Sequence, residues 1–236
     1  MSSVIEPIST RLPLQLLGAP APSVSDAGSN RVGQKPLVLL ARLLLEARPV
    51  TREAMMTFLW PEASESRARG SLRQALHVLR EAVGTDFLLA DRYAIAVVRP
   101  PEVDLLEFLQ AMRQGNHLSA ALLYRGNLLD GVALTDASDA ELWLDLERRR
   151  LARLFEQTAT SALEAPANPA DHEVRLTIAL KLRDIAPHVS RNWRYLFDAL
   201  AAMQATDLLR IERAALGARL EVRQIDDPGE ALALLQ

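Results

Sequence analysis

The chain has 236 residues, 49% of them apolar and 24% charged, enough for one large domain or two of ordinary size. It contains no cysteine, which excludes disulfides, thiolate metal sites and a cysteine nucleophile. The formal charge is −3 overall, but residues 1–99 carry twelve Lys and Arg against nine Asp and Glu, while residues 100–236 carry fifteen against twenty-one. The mild basic excess at the start fits a nucleic-acid module followed by a protein-binding one. The first ten residues lack a basic stretch followed by an apolar core. The longest apolar block, residues 37–45, is interrupted by Arg42 and is too short to span a bilayer. A cytoplasmic protein without a membrane partner is the expectation.

Residues 11–32 read as extended chain, with Leu12, Leu14 and Leu16 alternating with Pro13 and Gln15 before a Gly-, Pro- and Ser-rich stretch. One or two short strands are expected there. The stretch GSNRVGQK at 28–35 approaches a phosphate-binding loop, but its spacing is one residue off, and Pro36 stands where a metal-binding hydroxyl belongs. Pro36 instead suits the first turn of a Leu-rich helix reaching about Ala47, which Arg48-Pro49-Val50 ends.

Residues 51–83 then form two helices around a short polar break. Thr51 is the N-cap of the first, Glu53 lies in its acid-favouring first turn, and Pro61 ends it. Ser64 can cap the second, which carries Leu72, Leu76, Leu79 and Val83 at 4-3-4 spacing on one face. The opposite face shows Arg67, Gly70, Gln74, His77 and Glu81, with Arg73 and Arg80 on a flank. An apolar back with an Arg, Gln and His front suits a helix that reads the major groove, since Arg bonds guanine edges and Gln bonds adenine. An ordinary amphipathic surface helix shows the same pattern. Trp60, with Phe58 and Leu59, reads as core between the helices.

Residues 87–90 and 93–98 flank Asp91-Arg92 and predict a hairpin, with a loop longer than two residues because Asp-Arg is a poor primed-turn pair. Strands, three helices and a hairpin follow one another as in a winged helix-turn-helix, the hairpin being the wing. Arg99-Pro100-Pro101 reads as a linker, which divides the chain into residues 1–100 and 101–236. The second part reads as all helix: 103–113, 118–124, a long helix over about 140–164 with Leu142, Leu146, Leu151, Leu154 and Phe155 as its apolar stripe, then 171–185, 190–204 and 206–222. Successive short helices suggest a tetratricopeptide-like solenoid, with an irregular bundle as the alternative.

The stretch QKPLVLLARLLLEARPVTREAMMTFLWPEASESRARGSLRQALHVLREAVG resembles the DNA-binding domain of the antibiotic-regulatory-protein (SARP) class of bacterial transcriptional activators. In that class a Leu-rich helix precedes a Leu-Trp-Pro segment, here Leu59-Trp60-Pro61. A recognition helix follows, matched here by Ala68, Arg69, Leu72, Arg73, Leu76, Leu79 and Arg80. LLADRYAIAVV followed by VDLLEF resembles the class's wing and the start of its second domain. HLSAALLYRGNLLDG and ELWLDLERRRLARL resemble the bacterial transcriptional activator domain (BTAD), a tetratricopeptide-like helical module. The resemblance covers nearly the whole chain.

It implies a mainly α protein with a small β-sheet: an OmpR-type winged helix-turn-helix followed by an all-α helical domain. It further implies binding to double-stranded promoter DNA, pairing of protomers as a homodimer or in tandem, assistance to RNA polymerase, and no catalysis. Longer members add an ATPase domain and sensor repeats; this sequence ends at Gln236 and reads as the short form. Two positions depart from the class. Val78 replaces the usual Arg before Leu79, and Gly70 stands where a phosphate-contacting Arg is frequent. Both thin the polar front of the helix.

The candidate DNA contacts are therefore Arg67, Arg69, Ser71, Arg73, Gln74, His77 and Arg80 on the helix, and Arg92 at the wing tip, where it reaches backbone or minor groove. No cofactor or metal site is expected: His77, His117, His172 and His188 are scattered, and Asp171-His172-Glu173 reads as a helix start. The competing reading is a protein–protein adaptor whose winged helix has degenerated and binds DNA weakly or not at all.

Overall fold

A computed structural model describes residues 14–20, 32–222 and 224–235. Leu12, in the expected leading strand, and residues 28–31 of the 28–35 stretch lie outside the described residues. The chain forms two compact units, residues 1–107 with 124–149 and residues 108–123 with 150–236.

The first unit begins with helix α1 (Gln34–Glu46), which buries Leu37–Ala41, Leu43 and Leu44. Its Leu-rich surface accommodates Arg42, whose guanidinium lies 3.9 Å from the Phe58 ring centroid and whose Nε donates to Glu46 at 2.6 Å. Ala47 closes the helix in the left-handed conformation (φ 50°), two residues ahead of Pro49. A two-residue strand, β1 (Val50–Thr51), comes next, and α2 (Arg52–Leu59) starts at once. Thr51 caps α2 by accepting the Ala54 N–H at 3.2 Å, as its position suggests.

Five residues after α2 comes helix α3 (Glu65–Val83), with Ser64 at its N-cap. The Ser64 hydroxyl makes no cap bond and faces Ser66 Oγ at 3.3 Å instead. Strands β2 (Leu88–Ala90) and β3 (Ala94–Val97) form the expected hairpin around the loop at 91–93. β3 is central, in the order β1-β3-β2, with Val50 opposite Ile95 and Leu89 opposite Ala96. Nothing in the residues around 50 signals β1, because two residues make a strand only through the partner they pair with. Leu39, Leu40, Met55, Leu59, Leu72, Leu79 and Ile95 are inaccessible to solvent and join the three helices to the sheet. Each large side chain buried this completely contributes about 2–5 kcal/mol against truncation to Ala.

The described part of the expected leading strand pairs downstream, through single bridges of Leu14 with Val103 and Leu17 with Leu128. A buried carboxylate organises this region. Asp104, only 2% exposed, accepts the Leu16 and Leu17 amides at 2.7 and 3.0 Å, and Arg125 pairs with it at 2.8 Å. Gly18 (φ +92°) lies so close to Gly126 that a Cβ on the latter would meet its Cα at 3.0 Å.

Two further helices continue the chain beyond the wing, α4 (Asp104–Arg113) and α5 (His117–Leu123), and α6 (Ser138–Glu164) follows. In its first part α6 buries Ala140 and Leu144 and leaves Leu142 and Leu146 62% and 54% exposed, contrary to the stripe expected from sequence. Arg148 takes the inward position one turn on, donating to the carbonyls of Leu128, Leu129 and Val132 at 2.7–3.0 Å. A cation satisfying buried carbonyls reads as polar in any sequence pattern, which displaced the stripe by two residues.

The second unit is helical throughout its described residues: the later parts of α4 and α6, α5, α7 (His172–Ile185), α8 (Ser190–Ala202), α9 (Thr206–Glu221) and α10 (Pro228–Leu235), with a 3-10 turn at Pro169–Asp171. Asp171-His172-Glu173 is a helix start, preceded by Asn168, whose side chain caps the turn. Connections of three or four residues fold α7 onto α8 and α8 onto α9, with α5 against α7 and α10 against both α8 and α9. Polar side chains close the helix ends. Arg175 donates to the Ala162 and Leu163 carbonyls at the end of α6, and Asn192, 3% exposed, bonds the Leu182 and Ala186 carbonyls at the end of α7. Trp193 is fully buried and donates Nε1–H to Pro187 at 2.9 Å, so it is packing rather than surface. Burial and the hydrogen bond to Glu164 hold the Tyr195 hydroxyl above its ordinary pKa. The α10 helix, unanticipated from sequence, is fixed by Ser190, whose N–H bonds Asp226 at 2.8 Å and whose hydroxyl bonds Glu230.

The architecture is thus mainly α with one small antiparallel sheet, a winged helix-turn-helix and a helical domain. Among the described residues no helix is long and apolar enough to cross a membrane.

Candidate nucleic-acid interface

The candidate interface centres on α3. Its buried residues are Ala68, Leu72, Ala75, Leu76 and Leu79, at the 3-4 spacing that fixes one face inward. Arg67, Arg69, Arg73, Gln74 and His77 are exposed, whereas Ser71 and Arg80 are half-buried. Glu65 engages Arg69, and Glu81 lies 3.3 Å from His77, both at i,i+4 spacing. Arg67, Arg73 and Arg80 form no ion pair with any described residue, so their charge is available to an external anion. Gly70 lies near the middle of the outward face, and a Cβ there would meet nothing within 4 Å. Among the described residues no contact requires a glycine at this position.

The two flanks of α3 differ. Toward the wing, a groove of ≈ 1020 Å³ runs between α2, the start of α3 and the loop at 91–93. Arg69, Arg73 and Arg92 all line it, together with Arg52 from the first turn of α2. In the sequence Arg52 is an ordinary residue following an N-cap, with no local signal that marks it. Only the pairing of β1 with β3 brings it to the wing, where its N–H bonds the Tyr93 carbonyl at 2.8 Å and its guanidinium bonds the Asp91 carbonyl at 3.3 Å.

Asp91 does not neutralise these cations across the groove. Its carboxylate turns back to accept the Tyr93 and Ala94 amides, each at 2.7 Å. Those two bonds hold its pKa below the ordinary carboxylate value, with Arg92 and Arg52 assisting. The turn thereby presents Arg92, whose guanidinium lies 4.5 Å from the centroid of the 65% exposed Tyr93 ring. A stacked, presented arginine beside an exposed aromatic is suited to phosphate and sugar contact.

On its other flank, α3 faces a smaller cleft of ≈ 520 Å³, walled by Ser71, Gln74 and Val78 on one side and residues 133–136 on the other, with Lys35 and Trp60 between. Val78 is half-buried in this cleft, and not part of the polar front of the helix where the family resemblance placed it. The physical reason is the segment at 133–136, held by burial of Leu134 and Ala137 and by the bond from the Leu134 N–H to Glu141. No periodicity within α3 could announce a neighbour that lies 55 or more residues downstream. Trp60 is half-buried and lines both clefts, so it is not the wholly internal residue expected. Among the described residues no group of three His, Asp or Glu side chains could hold a metal ion.

No protein-family model and no curated protein matches the chain. Among solved structures, Mycobacterium tuberculosis EmbR in complex with a low-affinity phosphopeptide aligns with a TM-score of 0.52 at 22% identity. The alignment covers 95% of this chain and 64% of that one, so the chain spans less than two thirds of EmbR's length. At this identity the likeness establishes the fold alone: a winged helix and a helical domain.

Proposed function

We propose that this chain is a transcription regulator of the antibiotic-regulatory-protein type that binds double-stranded promoter DNA through its first unit. In this reading α3 lies in the major groove, with Arg73, Gln74, His77 and Arg67 facing bases and backbone, and Arg92 of the wing meets the adjacent backbone or minor groove. The observation that carries the proposal is the convergence of Arg52, Arg69, Arg73 and Arg92 on one groove beside the exposed face of α3. These four arginines come from three separate elements, and a solvated charge run would not bring them together. The helical second unit is assigned to protein partners, RNA polymerase among them, and pairing of protomers on repeated DNA sites belongs to the same proposal.

The half-burial of Ser71 and Val78 favours a second reading, in which the helix has lost part of its reading face and the chain acts as an adaptor. Equilibrium titration of the full chain against duplex DNA at several salt concentrations separates the two. Regulation through DNA predicts a log–log slope of about −0.9 for each phosphate neutralised, hence about −4 if all four arginines engage. A flat or absent response sinks the DNA reading and leaves the adaptor.

A further inference from the structure

The cleft at 133–136 contains a cation already occupied by an acid of the same chain. Lys35 Nζ lies 2.7 Å from the Asp136 carboxylate and 5.5 Å from the Trp60 ring centroid. The Lys35 side chain is 18% exposed, whereas Asp136 is 66% exposed. The bond from Lys35 holds the Asp136 carboxyl below its ordinary pKa, so Asp136 is a carboxylate at neutral pH. Ser71 and Gln74 of α3 line the same cleft.

We propose that Asp136 occupies, on Lys35, the place of a DNA phosphate, and that the cleft is a second backbone-binding site unlocked when Asp136 gives way. The inference rests on the DNA-binding reading above. An α-helix with its side chains is about 10–12 Å across and the major groove is about 12 Å wide, so a helix lying in it has a sugar-phosphate strand along each flank. The wing flank offers four arginines to one strand. The opposite flank offers Lys35, with the Ser71 hydroxyl and the Gln74 amide as neutral donors.

A phosphate oxygen and a carboxylate oxygen are interchangeable acceptors for an ammonium group, and an ion pair with so exposed a partner contributes little net stability. Asp136 can therefore turn to solvent when a phosphate arrives. Until then it cancels the Lys35 charge and repels the strand. The acid thus sets a threshold on DNA affinity without touching the helix that reads sequence.

The test uses the full chain and a fluorescent duplex of random sequence, titrated by anisotropy at two salt concentrations, with Asp136→Asn, Lys35→Ala and the double variant. Asp136→Asn should tighten binding at low salt and steepen the slope by about 0.9, which is about 3.5-fold in relative affinity between about 50 and 200 mM salt. Lys35→Ala in the Asp136→Asn background should abolish that gain. Thermal melting of each variant confirms that it is folded, which the exposure of Asp136 leads one to expect. If the wild type binds and Arg73→Ala weakens it, but Asp136→Asn binds as the wild type does, the cleft is no phosphate site and the DNA reading survives. If the gain persists in the double variant, Asp136 acts only by general repulsion and the assignment to Lys35 is wrong. If neither the wild type nor any variant binds duplex, both readings fall.

Discussion

Arg73→Ala should remove one phosphate-range cation while leaving the fold intact, because Arg73 is exposed and has no ion pair with a described residue. Its charge is fully available, so loss of the side chain should reduce the salt slope by about 0.9. The neighbouring Arg69 is already engaged by Glu65, and Arg69→Ala should reduce the slope by clearly less. A base contact adds a second signature: a bidentate bond to guanine is worth about 1–3 kcal/mol, or about 5- to 150-fold, and only on the cognate site. The assay is anisotropy titration of wild type, Arg73→Ala and Arg69→Ala against a random duplex and, once selected, a cognate one. Equal weakening on both duplexes assigns Arg73 to phosphate; selective weakening assigns it to a base. If Arg73→Ala changes neither affinity nor slope while the wild type binds DNA, the groove between α3 and the wing does not face DNA.

Three further outcomes follow from the geometry. Asp104→Ala leaves Arg125 and the Leu16 and Leu17 amides without their shared acceptor, and should destabilise the chain by about 3 kcal/mol or more in urea unfolding; a loss below about 1 kcal/mol contradicts its organising role. Gly70→Ala meets no atom of a described residue within 4 Å and removes a mid-helix glycine, so the unfolding free energy should rise by up to about 1 kcal/mol, and a fall would show a constraint absent from the described residues. The Asp91 turn should be acid-sensitive: its folded pKa lies below the ordinary 3.8, so the stabilisation is complete above 3.8 and is lost as pH falls through the folded value. Exchange protection of the Tyr93 and Ala94 amides should drop in that acid window in the wild type and at all pH values in Asp91→Ala; unchanged protection in the variant would refute the turn.

Local chemistry made a good part of this protein legible in its sequence. Thr51 announced its cap, Pro36 marked the first turn of α1 and Pro49 followed its end. The 4-3 repeat of Leu72, Leu76 and Leu79 fixed which side of α3 turns inward, and hence which residues turn out. Such signals lie within one helical turn or one hairpin, where spacing alone sets geometry. What only the tertiary structure decided has partners far along the chain. Strand β1 exists because β3 pairs with it, and that pairing carries Arg52 to the wing. Arg148 displaces the expected stripe of α6 because three carbonyls of residues 128–132 need a donor. Val78 and Lys35 acquire their surroundings from residues 133–136. Periodicity reports which face of an element is apolar; it carries no record of which distant segment will cover that face, and there the packing of the whole unit has the deciding role.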